Sequence, residues 1–381
     1  MRRNIAILGS TGSIGINTLK VVDRYPKEFK VVALTAYNNF KLLERQIKKY
    51  RPMHVAVGEE GLKYFSKLGI KGVRLHPTSA LSYIAGLKEV DVVVIGMRGA
   101  GALMPFLAAA KAGKRIAPAN KEALVIAGDL IMAEARRHKA TIIPVDSEQS
   151  AIFQCLDGQK APVACVHLTA SGGALKNVPQ KHFNRMTVKD ILRHPRWKMG
   201  PKITVDSATL MNKGFEVIEA QRLFGLRYDQ IKVVIHPEAI IHSMVEFADG
   251  ALLAQLGLTD MRLPIQYALT YPERLPTGLK QLDFTQLGQL TFQSPDLNKF
   301  PSLALAFEAA RRGGTLPAVL NAADEEAVDA FLSGMIRFTD IYKIVEKVFT
   351  AHKHVRQAGL DDILEADQWA RRQARMILEK L

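Results

Sequence analysis

Seven residues, Gly9-Ser-Thr-Gly12-Ser-Ile-Gly15, stand between an apolar, β-branched run at 4–8 and an amphipathic stretch at 14–25, and they restrict the fold more than any other part of the chain. Glycines three apart let the backbone turn sharply at the end of a strand, where the free N–H groups of a starting helix meet negative charge. The G-x-x-G-x-x-G spacing departs from the usual dinucleotide pattern, so its weight comes from the strand-loop-helix setting. A glycine-rich turn without a ligand is the alternative. Runs at 29–35, 91–95, 115–117 and 141–144 read as further strands, with helical stretches such as 40–50 between them. Such alternation predicts an α/β fold, with a Rossmann-like doubly wound parallel sheet over residues 1–148.

The pattern changes beyond that point. Apolar runs at 163–169, 233–235, 242–247 and 251–256, one helix and a basic stretch predict a central α+β domain over 149–271. Residues 272–298, with three prolines and two glycines and little periodicity, read as a linker. From 299 to 381 the apolar stripes have helical spacing throughout, predicting a C-terminal helical bundle.

Lysine and arginine number 52 against 37 acids, a net charge of +15 over 381 residues. That excess fits nucleic acid, anionic lipid or a phosphorylated small molecule alike. Residues 176–202 concentrate it, with eight lysines and arginines against one acid, Asp190. Either this segment closes over an anion, with no apolar stripe to dock it elsewhere, or it is a solvated basic loop. The longest stretch without a charged side chain, 161–175, is too short and polar for a membrane span. The N-terminal residues lack the pattern of a secretory signal, so the expected location is cytoplasmic. Cys155 and Cys165 have neither metal-type nor redox-type spacing and read as buried small hydrophobes.

After the second strand the chain runs Thr35-Ala36-Tyr37-Asn38-Asn39, without the acid that an NAD site places on the ribose hydroxyl, which favours a cofactor with a 2′-phosphate. Asp146-Ser147-Glu148 follows the apolar run ending at Val145; in extended chain, alternate side chains would turn both carboxylates to one side. In the stretch 205–216, Ser207 has helix-cap character, and Asn212 and Glu216 lie one turn apart with Lys213 beside them. Three carboxylates, Asp146, Glu148 and Glu216, suit Mg²⁺ or Mn²⁺ better than zinc. Exposed strand ends and helix surfaces would account for the same residues taken singly. Asn120-Lys121-Glu122 lies beyond the strand at 115–117, Ser171-Gly172-Gly173 offers a phosphate cradle or a plain turn, and His194 to Gly200 combines an imidazole, cations and Trp197. Nucleic-acid contact and a closing lid both fit that last composition.

Taken together, GSTGSIG at 9–15, ANKE at 119–122, PVDSE at 144–148, TASGG at 169–173, HPRWKMG at 194–200 and VDSATLMNKGFE at 205–216 resemble the 1-deoxy-D-xylulose 5-phosphate reductoisomerase family over essentially the whole chain. The resemblance implies an NADPH domain, a catalytic domain with a mobile loop at about 176–202 and dimer contacts, and a helical C-terminal domain. It implies a divalent metal, Mn²⁺, Mg²⁺ or Co²⁺, held by Asp146, Glu148 and Glu216. With Lys121 these are the expected catalytic residues. It implies cofactor contacts from Thr11, Gly12, Ser13, Ile14, Ala36, Tyr37, Asn38, Asn120, Glu122 and Gly200. Substrate contacts are implied for Lys121, Ser147, Glu148, Ser171, His194, Trp197, Ser207, Asn212, Lys213 and Glu216. Ala36 and Tyr37 replace the glycine and basic residue common in the family, and Arg196 replaces a small or polar one. The expected partner is a phosphorylated sugar, in a homodimer, with neither nucleic acid nor membrane. Another NAD(P)-dependent dehydrogenase, needing no such carboxylate set, and a nucleic-acid-binding protein are the rivals. Replacing Glu216 by glutamine is expected to disable chemistry far more than folding.

Overall fold

The computed structural model describes residues 2–193, 196–197 and 199–380, which form two compact units. The first comprises residues 1–123, 129–150 and 260–279, and the second 124–128, 151–259 and 280–381.

Seven strands make the sheet of the first unit: β1 (Arg3–Leu8), β2 (Phe29–Ala36), β3 (His54–Val57), β4 (Arg74–Pro77), β5 (Val92–Ile95), β6 (Arg115–Pro118) and β7 (Thr141–Ile142). All pairings are parallel, in the order β4-β3-β2-β1-β5-β6-β7. The chain therefore leaves β1 on one side to β2 and returns on the other to β5, and open parallel sheets bind ligands at such a reversal. Helices cover both faces, so the central strands are apolar on both sides: Ile5 through Leu8 and Val92 through Ile95 are all buried. β3 and β4 escape a reading by pattern. Each has four residues, and β4 is a half-exposed edge that ends in Pro77.

Helix Arg262–Thr270 belongs to this first unit and packs against Ser13–Arg24, although sequence reading assigns it to the central domain. Arg3 Nη1 donates to Leu269 O at 2.6 Å, and Arg24 Nε donates to Pro276 O at 2.9 Å. Residues 272–298, expected as a linker, are thus divided between packed structures. Residues 272–279 stay with the first unit, and in the second Gln293 bridges Ile235 while Phe292 stacks on His236 at 4.9 Å.

The second unit holds a four-stranded sheet, β8 (Val163–Ala170), β9 (Ile231–Ile235), β10 (Ile241–Phe247) and β11 (Leu252–Leu256), ordered β11-β10-β8-β9. One face buries Val166, Leu168, Val233 and Val245 in a core shared with the C-terminal helices Pro301–Arg312, Leu316–Leu332, Phe338–Ala351 and Leu360–Leu378. The basic segment is partly docked on that core, contrary to expectation. Phe183 is buried with its ring 6.0 Å from Phe300 and 5.9 Å from Phe338, and Ile191 is fully buried. Two apolar side chains a helical stripe would not connect do this through a short turn, Gln180–Arg185, and the single helical turn Val188–Ile191.

Candidate functional site

In the first unit the glycine loop follows β1 directly. Gly9 has φ +87°, and a Cβ there would lie 2.9 Å from Gly96 O; at Gly15 it would lie 2.4 Å from Ser10 Cα. Only glycine fits either position. Gly12, which caps helix Ser13–Arg24, has nothing nearer than 3.5 Å. Its role is to leave the helix start open: the first turn carries no acid, so its unpaired N–H groups and partial positive charge are available to an anion. The loop is held from beneath. Gly9 N donates to Thr35 Oγ1 at 2.9 Å, Ser10 Oγ donates to Gln46 Oε1 at 2.7 Å, and Gln46 Nε2 donates to Ser10 O at 2.9 Å. Thr11 and Ile14 are half-buried and Ser13 exposed, around the open helix start.

At the end of β2, Ala36 is buried, Asn38 is exposed and Tyr37 is 77 % exposed, with no carboxylate among them. Asn120 serves the local architecture: Nδ2 donates to Met97 O at 3.0 Å and to Gly99 O at 3.3 Å, and Oδ1 accepts from Ala123 N at 3.0 Å. It thereby ties the loop after β5 to the start of helix Glu122–Arg137, whose first residue is Glu122.

Lys121 and Asp146 form a buried pair with Nζ 2.6 Å from Oδ2. The extended arrangement expected for Asp146-Ser147-Glu148 does not occur. A helix, Ser147–Leu156, begins immediately, with Asp146 Oδ1 accepting from Glu148 N at 3.2 Å and Asp146 O accepting from Ser150 N at 2.8 Å. Asp146 caps this helix, which competes successfully with strand continuation because the cap satisfies an otherwise unpaired amide. Glu148 lies in the first turn, where the helix dipole favours its charge, and accepts from Ser147 Oγ.

In the second unit, helix Met211–Phe224 holds Asn212, Lys213 and Glu216 together as the spacing predicts. Asn212 Nδ2 donates to Glu216 Oε1 at 2.7 Å and Lys213 Nζ pairs with Glu216 Oε2, while Glu216 is 1 % exposed. Ser207 is not a cap. It lies inside helix Pro201–Thr209 with Oγ donating to Ile203 O at 2.8 Å, because Gly200 and Pro201 already supply the helix start. The break between the two helices is Leu210, at φ +60°. Gly173, φ +67°, passes so close to this helix that a Cβ would lie 2.3 Å from Ser207 O, which brings Ser171 and Ser207 into one neighbourhood; Ser171 Oγ accepts from Gly173 N at 3.3 Å.

Trp197 lies over His242, ring centroids 6.1 Å apart, and Arg196 Nε donates to Pro237 O at 2.8 Å. The buried His242 was not singled out by the sequence, where it reads as an interior strand residue. His194 lies outside the described residues. Lys202, counted with the basic segment, is instead half-sheltered in ion pairs with Asp206 at 2.6 Å and Asp324 at 2.8 Å, and the first of these was visible as an i, i+4 pair.

Each half of this chemistry matches a group to be bound. The helix start suits a pyrophosphate, and oxygen-only donors whose charge is balanced at present by Lys121 and Lys213 suit a hard divalent cation.

The chain is similar to known proteins over nearly its whole length. Residues 5–128 match the family described as 1-deoxy-D-xylulose 5-phosphate reductoisomerase, residues 142–224 that enzyme's C-terminal domain, and residues 256–373 the DXP reductoisomerase C-terminal domain. A 1-deoxy-D-xylulose 5-phosphate reductoisomerase from Heliobacterium modesticaldum is 54% identical, over 98% of this chain and 96% of its own. One from a Synechococcus strain is 50% identical over 99% and 97%. A crystal structure of DOX-P reductoisomerase in complex with NADPH, fosmidomycin and magnesium superposes with TM-score 0.93 at 40% identity, over 99% of this chain and 98% of that one. The Zymomonas mobilis enzyme in complex with NADPH gives 0.91 at 39% identity, over the full length of both.

Proposed function

The chain belongs to the 1-deoxy-D-xylulose 5-phosphate reductoisomerase family, and from that membership we infer that it converts 1-deoxy-D-xylulose 5-phosphate to 2-C-methyl-D-erythritol 4-phosphate by metal-dependent rearrangement and NADPH reduction. The reaction serves isoprenoid biosynthesis by the non-mevalonate route. The observation that carries the reading is the buried Glu216, held by Asn212 and Lys213 in a family-matching helix, in a chain that also has an open phosphate-type loop after β1. A plain dehydrogenase has no use for the former, and a nucleic-acid-binding protein has no use for either.

Asp146, Glu148 and Glu216 are assigned to one cation, Mn²⁺, Mg²⁺ or Co²⁺. When bound, the metal polarises the ketose carbonyl and the nicotinamide supplies the hydride. Lys121 and Lys213 pair with the neighbouring carboxylates and offer N–H groups to substrate oxygens. Ser147 and Glu148 orient the substrate hydroxyls, while Ser171, His194, Ser207, Asn212 and Lys213 receive its phosphate. Trp197 covers the substrate and, with closure of residues 176–202, keeps water from the reacting carbons. Thr11, Gly12, Ser13, Ile14, Ala36, Tyr37, Asn38, Asn120, Glu122 and Gly200 are assigned to NADPH, where Tyr37 in place of a cation weakens the hold on the 2′-phosphate.

The enzyme is assigned to the cytoplasm as a homodimer. No helix among the described residues is long and apolar enough to cross a membrane, Cys155 and Cys165 form no disulfide, in keeping with a reducing compartment, and exposed Leu252 and Leu253 on β11 provide apolar surface for association. Sedimentation should give twice the chain mass. The decisive assay follows NADPH absorbance on adding deoxyxylulose phosphate with Mn²⁺: oxidation is expected, abolished by EDTA. Undiminished turnover in metal-free enzyme would remove the carboxylate assignment.

A further inference from the structure

The four-stranded sheet of the second unit has a second face, turned away from the shared core. Cys165 and His167 are two apart on β8 and therefore project to one side, and Glu246 lies directly opposite Cys165 in the antiparallel pairing with β10. His167 Nε2 is 3.4 Å from Glu246 Oε2, and one donor atom from each of the three residues lies within 4.8 Å of the others. From this we infer a second metal site, distinct in chemistry from the carboxylate set, in which Cys165 Sγ, His167 Nε2 and a Glu246 oxygen take a borderline-soft divalent cation of the zinc class.

The donor types decide the metal. A thiolate, an imidazole and one carboxylate disfavour Mg²⁺ and favour Zn²⁺ or Co²⁺ in tetrahedral geometry, with the fourth position left to water. Bonds of about 2.0–2.1 Å at a tetrahedral angle hold nitrogen and oxygen roughly 3.3 Å apart, close to the spacing already present between His167 and Glu246. The ligands sit on two hydrogen-bonded strands, whose register fixes their separation without a cation, so little rearrangement is needed. Cys165 is buried, His167 is partly sheltered and Glu246 is open on one side, which leaves a route of entry. On binding, the Cys165 S–H bond breaks, its electron pair goes to the metal and its proton to water; the His167 proton that faces Glu246 leaves Nε2 through water, and the ring binds with its one proton on Nδ1. Burial pushes the Cys165 thiol up, and the charge of Lys232, opposite His167 in the register with β9, works the other way. Lys232 is exposed at the end of a long flexible side chain and can swing away when a cation arrives.

Cobalt tests this directly, because a sulfur-to-cobalt charge-transfer band in the near ultraviolet arises only from a thiolate ligand and the carboxylate set has none. Full-length protein saturated with Mg²⁺ and titrated with Co²⁺ should develop that band to one equivalent per chain, together with the intense visible bands of tetrahedral cobalt. Zn²⁺ should erase them. Cys165→Ser should lose the near-ultraviolet band completely, His167→Asn should weaken cobalt binding, and Cys155→Ser should behave as wild type, all three keeping Mg²⁺-supported turnover. Absence of the band in wild type, its survival in Cys165→Ser, or its loss in an active Cys155→Ser protein would each overturn the site.

Discussion

Buried beside Asn212 and Lys213, Glu216 has both carboxylate oxygens engaged within its own helix, and this changes what its substitution should do. From sequence alone Glu216→Gln is a shape-preserving loss of one metal ligand with little effect on folding. In the structure the same change also removes the carboxylate charge that the Lys213 ammonium, 3 % exposed, pairs with. We therefore expect turnover to fall by at least about 100-fold, the loss of roughly 3 kcal/mol of barrier lowering, and in addition a loss of roughly 2 kcal/mol of stability in the apoprotein. Activity across a Mn²⁺ titration and urea unfolding measure the two, and unchanged unfolding would mean that the pair with Lys213 adds nothing to stability. At the glycine loop, Gly15→Ala should cost about 1–3 kcal/mol by overpacking against Ser10 backbone and weaken NADPH binding in a fluorescence titration. Gly12→Ala, with only ordinary contacts to meet, should change stability by less than about 1 kcal/mol. The need for glycine was legible at this loop because a tight turn writes itself into residue type. That Gly15, rather than Gly12, is the position with no room was not legible, since it depends on where Ser10 lies in space.

Elements that end abruptly were the hardest to read. The strand candidates at 4–8, 29–35, 91–95 and 115–117 recur as β1, β2, β5 and β6, long or central enough for burial on both faces to leave a continuous apolar run. The helix start at Asp146 and the true cap of Pro201–Thr209 were missed, because a carboxylate after an apolar run signals a strand end as well as a helix cap. In the second case Gly200-Pro201 carried the signal and Ser207 drew attention from it. The basic segment shows the same limit. Phe183 and Ile191 dock it on the second core without any helical periodicity. Phe183→Ala is accordingly expected to lose about 3 kcal/mol of stability and to speed tryptic cleavage within 176–202, read as fragments over time; equal cleavage rates would show that Phe183 does not hold the segment. Farther along, Arg371 joins helix Leu360–Leu378 to Leu316–Leu332 through Glu325 at 2.6 Å and Glu326 at 3.3 Å, with Asp367 at 2.8 Å on its own helix. Burial works to raise the Glu326 carboxyl, but hydrogen bonds from Arg375 and Arg371 overcome it and hold the group below the usual carboxylate range. A depressed folded value means that the stabilisation is complete above the ordinary carboxylate range and disappears as pH falls through the lowered one. Arg371→Met should then destabilise by about 2 kcal/mol near neutrality, less than a fully buried pair because the side chain is 21% exposed. The difference from wild type should shrink on acidification, and a difference independent of pH in thermal melts would exclude the ionic account.

On the scale of the whole chain, sequence reading follows the order of residues, whereas the two units do not. Composition shifts near 148 and 271 are real changes of pattern, yet the chain crosses between units at 123, 128, 150, 259 and 279. Helix Arg262–Thr270 explains why the last return matters. Ile265, Ala268 and Leu269 are fully buried, and their helix packs against Ser13–Arg24, where Leu19 and Val22 are buried too. Burying two large aliphatic side chains contributes about 1.5–3 kcal/mol each, to which the bonds of Arg3 and Arg24 add a little. A domain stable by only about 5–15 kcal/mol in total cannot lose that much and remain securely folded. A fragment ending at residue 150, which contains the entire seven-stranded sheet, is therefore expected to unfold with a broad transition and to bind NADPH weakly. Joining residues 260–279 to it through a flexible linker should restore a sharp melt and tighter binding, because the helix that supports the phosphate loop regains its apolar cover. Calorimetry with fluorescence titration compares the two fragments. If the shorter one melts as sharply and binds as tightly, the returning helix is decoration on a self-sufficient sheet, and the boundary near 148 describes the folding unit better than the packing does.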